Sequence, residues 1–235
     1  MERAARIRPP VFEIGLKGYC WGADAVRLAI EADRMAVELG VSVVFDPQAV
    51  DIGAVAAATS RILVFAQHMD PVTPGRGVGA VLAEALREAG AVGALLNHSE
   101  KPMSLGEVRR AIDRARATGL FTLVFANSPA EAAALAHLGP DIVLAEPPEL
   151  IATGVSAGNV MAAFVAEAVA AVKAVDPGIL VMSGAGVNGP EDVDRMIRLG
   201  LDGTGSSSGI LRAPDPVVAM RGMLEATARA WNETH

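Results

Sequence analysis

The sequence predicts a single-domain α/β protein, residues 1–235, folded as a (β/α)₈ barrel. Three observations carry that prediction. Short β-branched runs alternate with longer helical patterns eight times, from end to end. No linker, low-complexity tract or charge block divides the 235 residues, a length normal for one barrel. The glycine-rich turns follow the seventh and eighth strands, whereas an open doubly wound sheet would favour one after its first strand.

Each unit can be read in turn. Val11–Leu16 reads as the first strand and Ala23–Leu39 as its helix, with Val26, Ile30 and Val37 near one apolar face. Val41–Phe45 and Ile62–Ala66 are strands two and three, on either side of a short Ala-rich helix at Ile52–Ala58. Val78–Ala89 reads as helix, Ala91–Leu96 as strand four and Ser104–Thr118 as helix, opened by a Ser104/Glu107 capping box. Phe121–Phe125 is strand five, and Ser128-Pro129 then supplies a cap followed by proline at the first helical position. Ile142–Ala145, Ile179–Met182 and Leu201–Gly205 are strands six to eight, with helices at Asn159–Val175 and Glu191–Leu199. The last helix starts at Asp215-Pro216 and runs to about Arg229.

Composition narrows the function classes. Hydrophobic residues make up 51% and charged residues 20%, with few aromatics, so the core is expected to be Ala, Val, Leu and Ile. A mean hydropathy of +0.37 is high for a monomer and suggests apolar surface covered by other subunits. The net charge of −7, with no long run of Lys or Arg, argues against nucleic acid as a partner. A phosphorylated small molecule remains compatible, because local backbone N–H groups outweigh global charge. The single cysteine, Cys20, excludes an intrachain disulfide and a cysteine-built zinc site, and reads as a small buried hydrophobe rather than a reactive thiol. The arginines of Met1–Pro10 are not followed by an apolar signal-peptide segment, and Val160–Val175 is too short and too interrupted to span a bilayer. A cytoplasmic protein without membrane partners is expected.

In a barrel, polar residues at strand C-termini gather in one bowl even when they are distant in sequence. Those positions hold Lys17, then Asn97-His98-Ser99-Glu100, then Glu146, Ser183-Gly184-Ala185-Gly186 and Ser206-Ser207-Ser208-Gly209. A cation, an imidazole and a carboxylate suffice for proton abstraction beside a carbonyl. The two small-residue turns, through Gly184, Gly186, Ser207 and Ser208, can bring N–H groups close to a phosphate. No metal-ligand spacing appears, and no cofactor is implied. Taken singly, each residue also has a plainer reading. Lys17 could be a solvated charge, His98 a structural histidine and Glu146 a helix cap or arginine partner. Glu100 reads either as a buried partner for Lys17 or as a helix-end ion pair. His68 and Asn97 read as structural, His137 and His235 as inert, and the methionines as filler.

The segments Ala66-Gln67-His68-x-Asp70, Asn97-His98-Ser99-Glu100, Glu146-Pro147-Pro148-Glu149-Leu150-Ile151-Ala152-Thr153-Gly154, Ser183-Gly184-Ala185-Gly186-Val187 and Glu191-Asp192-Val193 occur in this order. Together they resemble the triosephosphate isomerase family, in its shorter archaeal-type branch. The resemblance covers the chain from about the first strand to Pro216. It implies a TIM barrel, a small phosphorylated sugar as substrate and a homodimer or homotetramer. It also implies Glu146 as the proton-shuttling base, a neutral His98 polarising the carbonyl, and Lys17 balancing negative charge and contacting phosphate. Asn97 and Glu100 would support them, and Pro147–Gly154 would form a lid in which the Ala152 N–H grips phosphate. This family is a standard case of pKa tuning by environment.

Three positions depart from the family pattern. An asparagine is expected two residues before the lysine, where this chain has Gly15. Its partner from the neighbouring subunit, a threonine, corresponds to Val78. A lid glycine corresponds to Ala152. Loss of both members of one polar contact avoids an unsatisfied group, which would cost about 1–3 kcal/mol. The departures leave open an aldose–ketose isomerase for a four-carbon sugar phosphate, and a barrel that binds phosphometabolites without catalysis.

Overall fold

The computed structural model describes residues 7–147 and 158–235. Its eight strands form one closed parallel barrel in sequence order. They are β1 (Val11–Gly15), β2 (Ser42–Asp46), β3 (Leu63–Ala66), β4 (Gly93–Leu96), β5 (Phe121–Ala126), β6 (Ile142–Ala145), β7 (Leu180–Ser183) and β8 (Gly203–Gly205). The connecting helices are α1 (Gly22–Leu39), α2 (Ile52–Ala58), α3 (Ala83–Glu88), α4 (Leu105–Thr118), α5 (Pro129–Ala136), α6 (Gly158–Val175), α7 (Pro190–Arg198), α8 (Ser208–Leu211) and α9 (Pro216–Thr234). No helix among the described residues is long and apolar enough to cross a membrane.

Strand parity divides the core. Val44, Phe65, Leu95, Leu123, Leu144 and Met182 belong to a cluster that fills the barrel interior, while Phe12, Ile14 and Phe45 belong to the layer beneath the helices. Successive side chains on a strand point to opposite faces, so Glu13, between Phe12 and Ile14, projects inward. The sheet closes where β1 meets β8, with Val11 beside Gly203 and Glu13 beside Gly205. Position 203 must be glycine, because a Cβ there would run into the Val11 backbone. This explains the weak apolar pattern of the eighth strand.

The structure revises several sequence expectations. The buried stripe of α1 is Ala25, Leu28, Ala29, Ala32, Met35 and Ala36. Val26 is only half-buried, and Ile30 and Val37 are exposed. Alanines 25, 29, 32 and 36, spaced i, i+4, i+7 and i+11, let the helix lie close to the barrel, and their small size hid the stripe. The helix expected over Val78–Ala89 shrinks to α3, because Gly77 and Gly79 have positive φ, at 158° and 78°. The segment before α3 is instead a loop closed by Asp70, whose carboxylate accepts from the Val81 N–H at 2.7 Å. Ser208 and Gly209, expected in a turn, lie in α8, and α9 extends to Thr234. Cys20 is half-exposed rather than buried. The Ser104/Glu107 capping box is present, with both reciprocal bonds formed.

Candidate active site

The C-terminal ends of the strands open onto a cavity of about 430 Å³ lined by Lys17, His98, Glu100, Glu146, Gly184, Gly186, Ser207 and Ser208. Residues separated by almost two hundred positions are thus brought into one bowl. Ala152 and the segment Pro148–Gly154 lie outside the described residues. Asn97 is buried beside the bowl rather than lining it.

Lys17 follows β1 in a left-handed conformation, φ 45°, which is uncommon for a residue with a Cβ and costs about 1–3 kcal/mol. Its carbonyl accepts from Gln48 Nε2 at 2.5 Å and from Gln67 Nε2 at 3.1 Å. Gln67 also donates to the Asp46 carbonyl at 2.9 Å, so side chains following β2 and β3 brace the turn after β1. Lys17 Nζ meets Glu100 Oε1 at 2.6 Å. Burial pulls the Lys17 pKa down, but the Glu100 hydrogen bond and the charges of Glu100, Glu146 and Glu13 raise it overall. The same pairing holds the Glu100 carboxyl below its ordinary range. Of the two readings open for Glu100, the structure places it as the partner of Lys17, although its own side chain is exposed.

Asn97 follows β4 with φ 60° and ties the loop after it down. Its Nδ2 donates to the Phe125 carbonyl at 3.0 Å and to Glu131 Oε1 at 3.2 Å, while Oδ1 accepts from the Met103 N–H. That loop turns the Glu100 N–H onto His98 Nδ1 at 3.0 Å. With Nδ1 accepting, the neutral ring carries its proton on Nε2. Burial, then the nearby Lys17 charge, lower the His98 pKa to about 4. The ring is held edge-to-face against Phe125, with centroids 4.6 Å apart. His98 is therefore a neutral donor at pH 7.

Glu146 follows β6. Burial, then the charge of Glu13, raise its pKa to about 7, while Lys17 and the Gly184 N–H oppose the rise. A Cβ on Gly184 would sit 2.9 Å from Glu146 Oε1, so the absence of a side chain there lets the β7 turn close on the carboxylate. Gly186 has φ 74°, and Ser206 Oγ donates to the Val187 carbonyl at 2.8 Å, joining the turns after β7 and β8. The arrangement presents a carboxylate poised near neutrality, a neutral N–H donor, an ammonium and two turns of small residues. This is the equipment for moving a proton beside a carbonyl on an anionic substrate. Among the described residues, no group of His, Cys, Asp and Glu is arranged to hold a metal ion.

The sequence model of the family described as "Triosephosphate isomerase" matches residues 17–221. The chain belongs to the triosephosphate isomerase family. It is 36% identical over 217 residues to a triosephosphate isomerase of Methanothermus fervidus, covering 92% of this chain and 97% of the relative. A triosephosphate isomerase of Pyrobaculum calidifontis is 40% identical over 212 residues, 89% of this chain and 92% of the relative. That of Methanocaldococcus jannaschii is 35% identical over 204 residues, 87% and 93% respectively.

Within this family framework, the structure brings in residues that the sequence reading passed over. Gln48 and Gln67 brace Lys17. Glu13 and Asp46, both buried, also line the bowl. Strand parity could have found Glu13, since it shares a face with Val11, Gly15 and Lys17. Gly15 leaves no vacant room: a Cβ there would lie 2.5 Å from Glu13 Oε1 and 2.5 Å from Ser207 Oγ. Val78 stands fully exposed.

Proposed function

We propose that this chain is a triosephosphate isomerase, interconverting glyceraldehyde 3-phosphate and dihydroxyacetone phosphate through an enediolate. The observation that carries the reading is the pairing of a Glu146 carboxyl with pKa about 7 and a neutral His98 whose Nε2 bears the proton. Glu146 removes the proton from one carbon and returns it to the adjacent carbon. His98 Nε2–H polarises the carbonyl, and Lys17 offsets the charge that develops on oxygen. The turns at Gly184–Gly186 and Ser207–Ser208 receive the phosphate. Ala152 joins them through its N–H, as the resemblance implies. Asn97 and Glu100 hold His98 and Lys17 in place. The reaction needs no cofactor, since a base, a donor and a cation supply its chemistry.

The triose is favoured over a four-carbon sugar phosphate because the space that Gly15 would free is taken by Glu13 and Ser207. A coupled assay on both substrates tests this, and negligible triose turnover with rapid tetrose turnover would overturn it. The Glu146→Gln variant tests the base. A loss of kcat of about 10²–10⁴-fold, together with loss of deuterium exchange into substrate, is expected. Equal protein-dependent exchange in wild type and variant would overturn the base assignment, and exchange in neither, with substrate bound, would favour a barrel that only binds phosphometabolites.

Self-association belongs to the same reading. Val78, Val50 and Trp21 are exposed large apolar side chains, and such surface is suited to burial against a second copy. Light scattering at micromolar concentration should show a dimer or tetramer, and a monomer alone would reject the assignment. Phosphorylated sugars are charged and do not cross membranes unaided, so the enzyme works in the compartment that makes them, taken to be the cytoplasm.

A further inference from the structure

Two carboxyls at the floor of the bowl have no place in the reaction as described. Glu13 is only 8% exposed and yet lines the cavity, as does the buried Asp46. Glu13 comes from the interior face of β1, and Asp46 ends β2 in register with Gly15. A Cβ on Gly15 would lie 2.5 Å from Glu13 Oε1 and 2.5 Å from Ser207 Oγ, and one on Gly205 would meet Glu13 Oε2. This pair of glycines lets a side chain from within β1 rise to the turn after β8. On the same floor, Glu146 Oε1 faces Gly184, whose own neighbour is the Gly205 carbonyl.

The pair holds one proton, and its surroundings decide where it sits. Two carboxylates cannot hydrogen-bond each other, yet these two side chains do. Burial raises both above the ordinary carboxylate range, and the Glu13 charge drives Asp46 well above it. The hydrogen bond from Asp46 and the charge of Lys17 hold Glu13 down. Asp46 is therefore the donor and Glu13 the ionised acceptor. A proton on Asp46 also accounts for its Oδ1, which is buried and receives no hydrogen bond. An ionised carboxyl can accept about four hydrogen bonds, and among the described residues Asp46 is the side chain that donates to Glu13. The acceptor capacity left over belongs to a group that lines the cavity.

We propose that the Glu13 carboxylate selects the ligand: it accepts a hydrogen bond from a hydroxyl of the sugar phosphate and repels an anionic oxygen at the same point. The proposal deepens the isomerase reading and rests on it for the identity of the substrate. Glyceraldehyde 3-phosphate carries a carbonyl, which calls for a donor, beside a hydroxyl, which calls for an acceptor. The His98 Nε2–H and the Lys17 ammonium answer the first, and Glu13 answers the second. A buried carboxylate with empty acceptor sites is costly, and a ligand hydroxyl fills one with a charge-assisted bond. Charge that develops in the reaction falls on the carbonyl oxygen, whose partners are His98 and Lys17, while the hydroxyl shields Glu13. No proton leaves the Glu13–Asp46 pair.

The test compares wild type with Glu13→Gln and Glu13→Met in binding two phosphate-anchored ligands of similar size. Glycerol 3-phosphate presents hydroxyls, and 2-phosphoglycolate presents a carboxylate. Turnover and KM for glyceraldehyde 3-phosphate are measured alongside, with the thermal midpoint as a check on folding. Glu13→Met fills similar space with neither acceptor nor charge. It should weaken glycerol 3-phosphate about tenfold and raise KM by a similar factor, while tightening 2-phosphoglycolate about tenfold. Glu13→Gln keeps an acceptor oxygen without the charge. It should hold glycerol 3-phosphate within about threefold of wild type and still tighten 2-phosphoglycolate. A merely structural role would move both ligands in one direction. A folded Glu13→Met with both affinities unchanged, or both weakened by the same factor, would overturn the proposal and leave the pair as filling beneath the site. If Glu13→Met does not fold, Glu13→Gln decides, and a wild-type affinity for 2-phosphoglycolate would overturn the proposal. Either result with triose turnover intact in wild type leaves the isomerase reading standing. A wild type without triose turnover whose choice of ligand depends on Glu13 would overturn the isomerase reading alone. Absence of both turnover and Glu13-dependent choice would overturn both.

Discussion

Glu146 and His98 depart from their ordinary pKa values in opposite directions for one shared reason, burial disfavouring the charged form. The result is a base that ionises at about 7 and a donor that stays neutral above about 4. The acid limb of kcat/KM should therefore rise through about pH 7 and report Glu146, with no inflection from His98 near 6.5. A limb centred near 4.5 would mean that the carboxyl is not in this environment. The same shift affects stability. The folded state holds the Glu146 proton up to about pH 7, whereas the unfolded chain releases it near 4.5. Between those values the folded form binds more protons, so stability falls as pH rises through the window. Glu146→Gln removes that penalty and should raise the thermal midpoint at pH 8 while leaving it unchanged at pH 4.5. An equal effect at both pH values would contradict the assignment.

At the scale of elements, the site depends on loops that short polar ties convert into rigid turns. Asn97 is the clearest case. From one left-handed residue it bonds the β5 backbone, Glu131 at the start of α5, and the Met103 N–H ahead of α4. Asn97→Ala should lower stability by about 1–3 kcal/mol by leaving buried partners unmade. It should also reduce kcat more than it raises KM, because the Glu100 N–H that fixes the His98 tautomer rides on the same loop. Denaturant unfolding alongside steady-state kinetics checks both effects. The sequence made the elements legible wherever local chemistry announced them: the Ser104/Glu107 box, the Ser128-Pro129 and Asp215-Pro216 caps, and the β-branched strands. It placed Lys17, His98 and Glu146 in one bowl because strand ends are conspicuous. What it hid depends on contacts distant in sequence. The bracing of Lys17 by Gln48 and Gln67 needs β2 and β3 beside β1, and the alanine stripe of α1 signals burial only against a barrel. Glu13 and Asp46 lie within apolar strands, where a carboxylate has no local signature.

At the scale of the whole molecule, function depends on closure, because only the β1–β8 seam brings Lys17 and Glu13 beside the Ser207 turn. That seam is three residues long on β8 and contains glycine at both ends. Its tolerance differs sharply from that of glycine elsewhere. At Gly203 an added Cβ would strike the Val11 carbonyl and Cβ, backbone and side chain together, and a strand held on both sides cannot retreat. Gly53 lies in α2 on an exposed face, with its nearest contact at an ordinary 3.9 Å. Gly203→Ala should therefore destabilise by about 3 kcal/mol or more, in the range of severe overpacking, and abolish activity by opening the seam. Gly53→Ala should stabilise by about 0.5–1 kcal/mol through helix propensity and a less free unfolded chain, with kcat unchanged. Urea unfolding of the two variants beside wild type measures the contrast. A Gly203→Ala protein of wild-type stability would show that β8 can shift along β1 without loss, and the barrel could not then be held shut in this register.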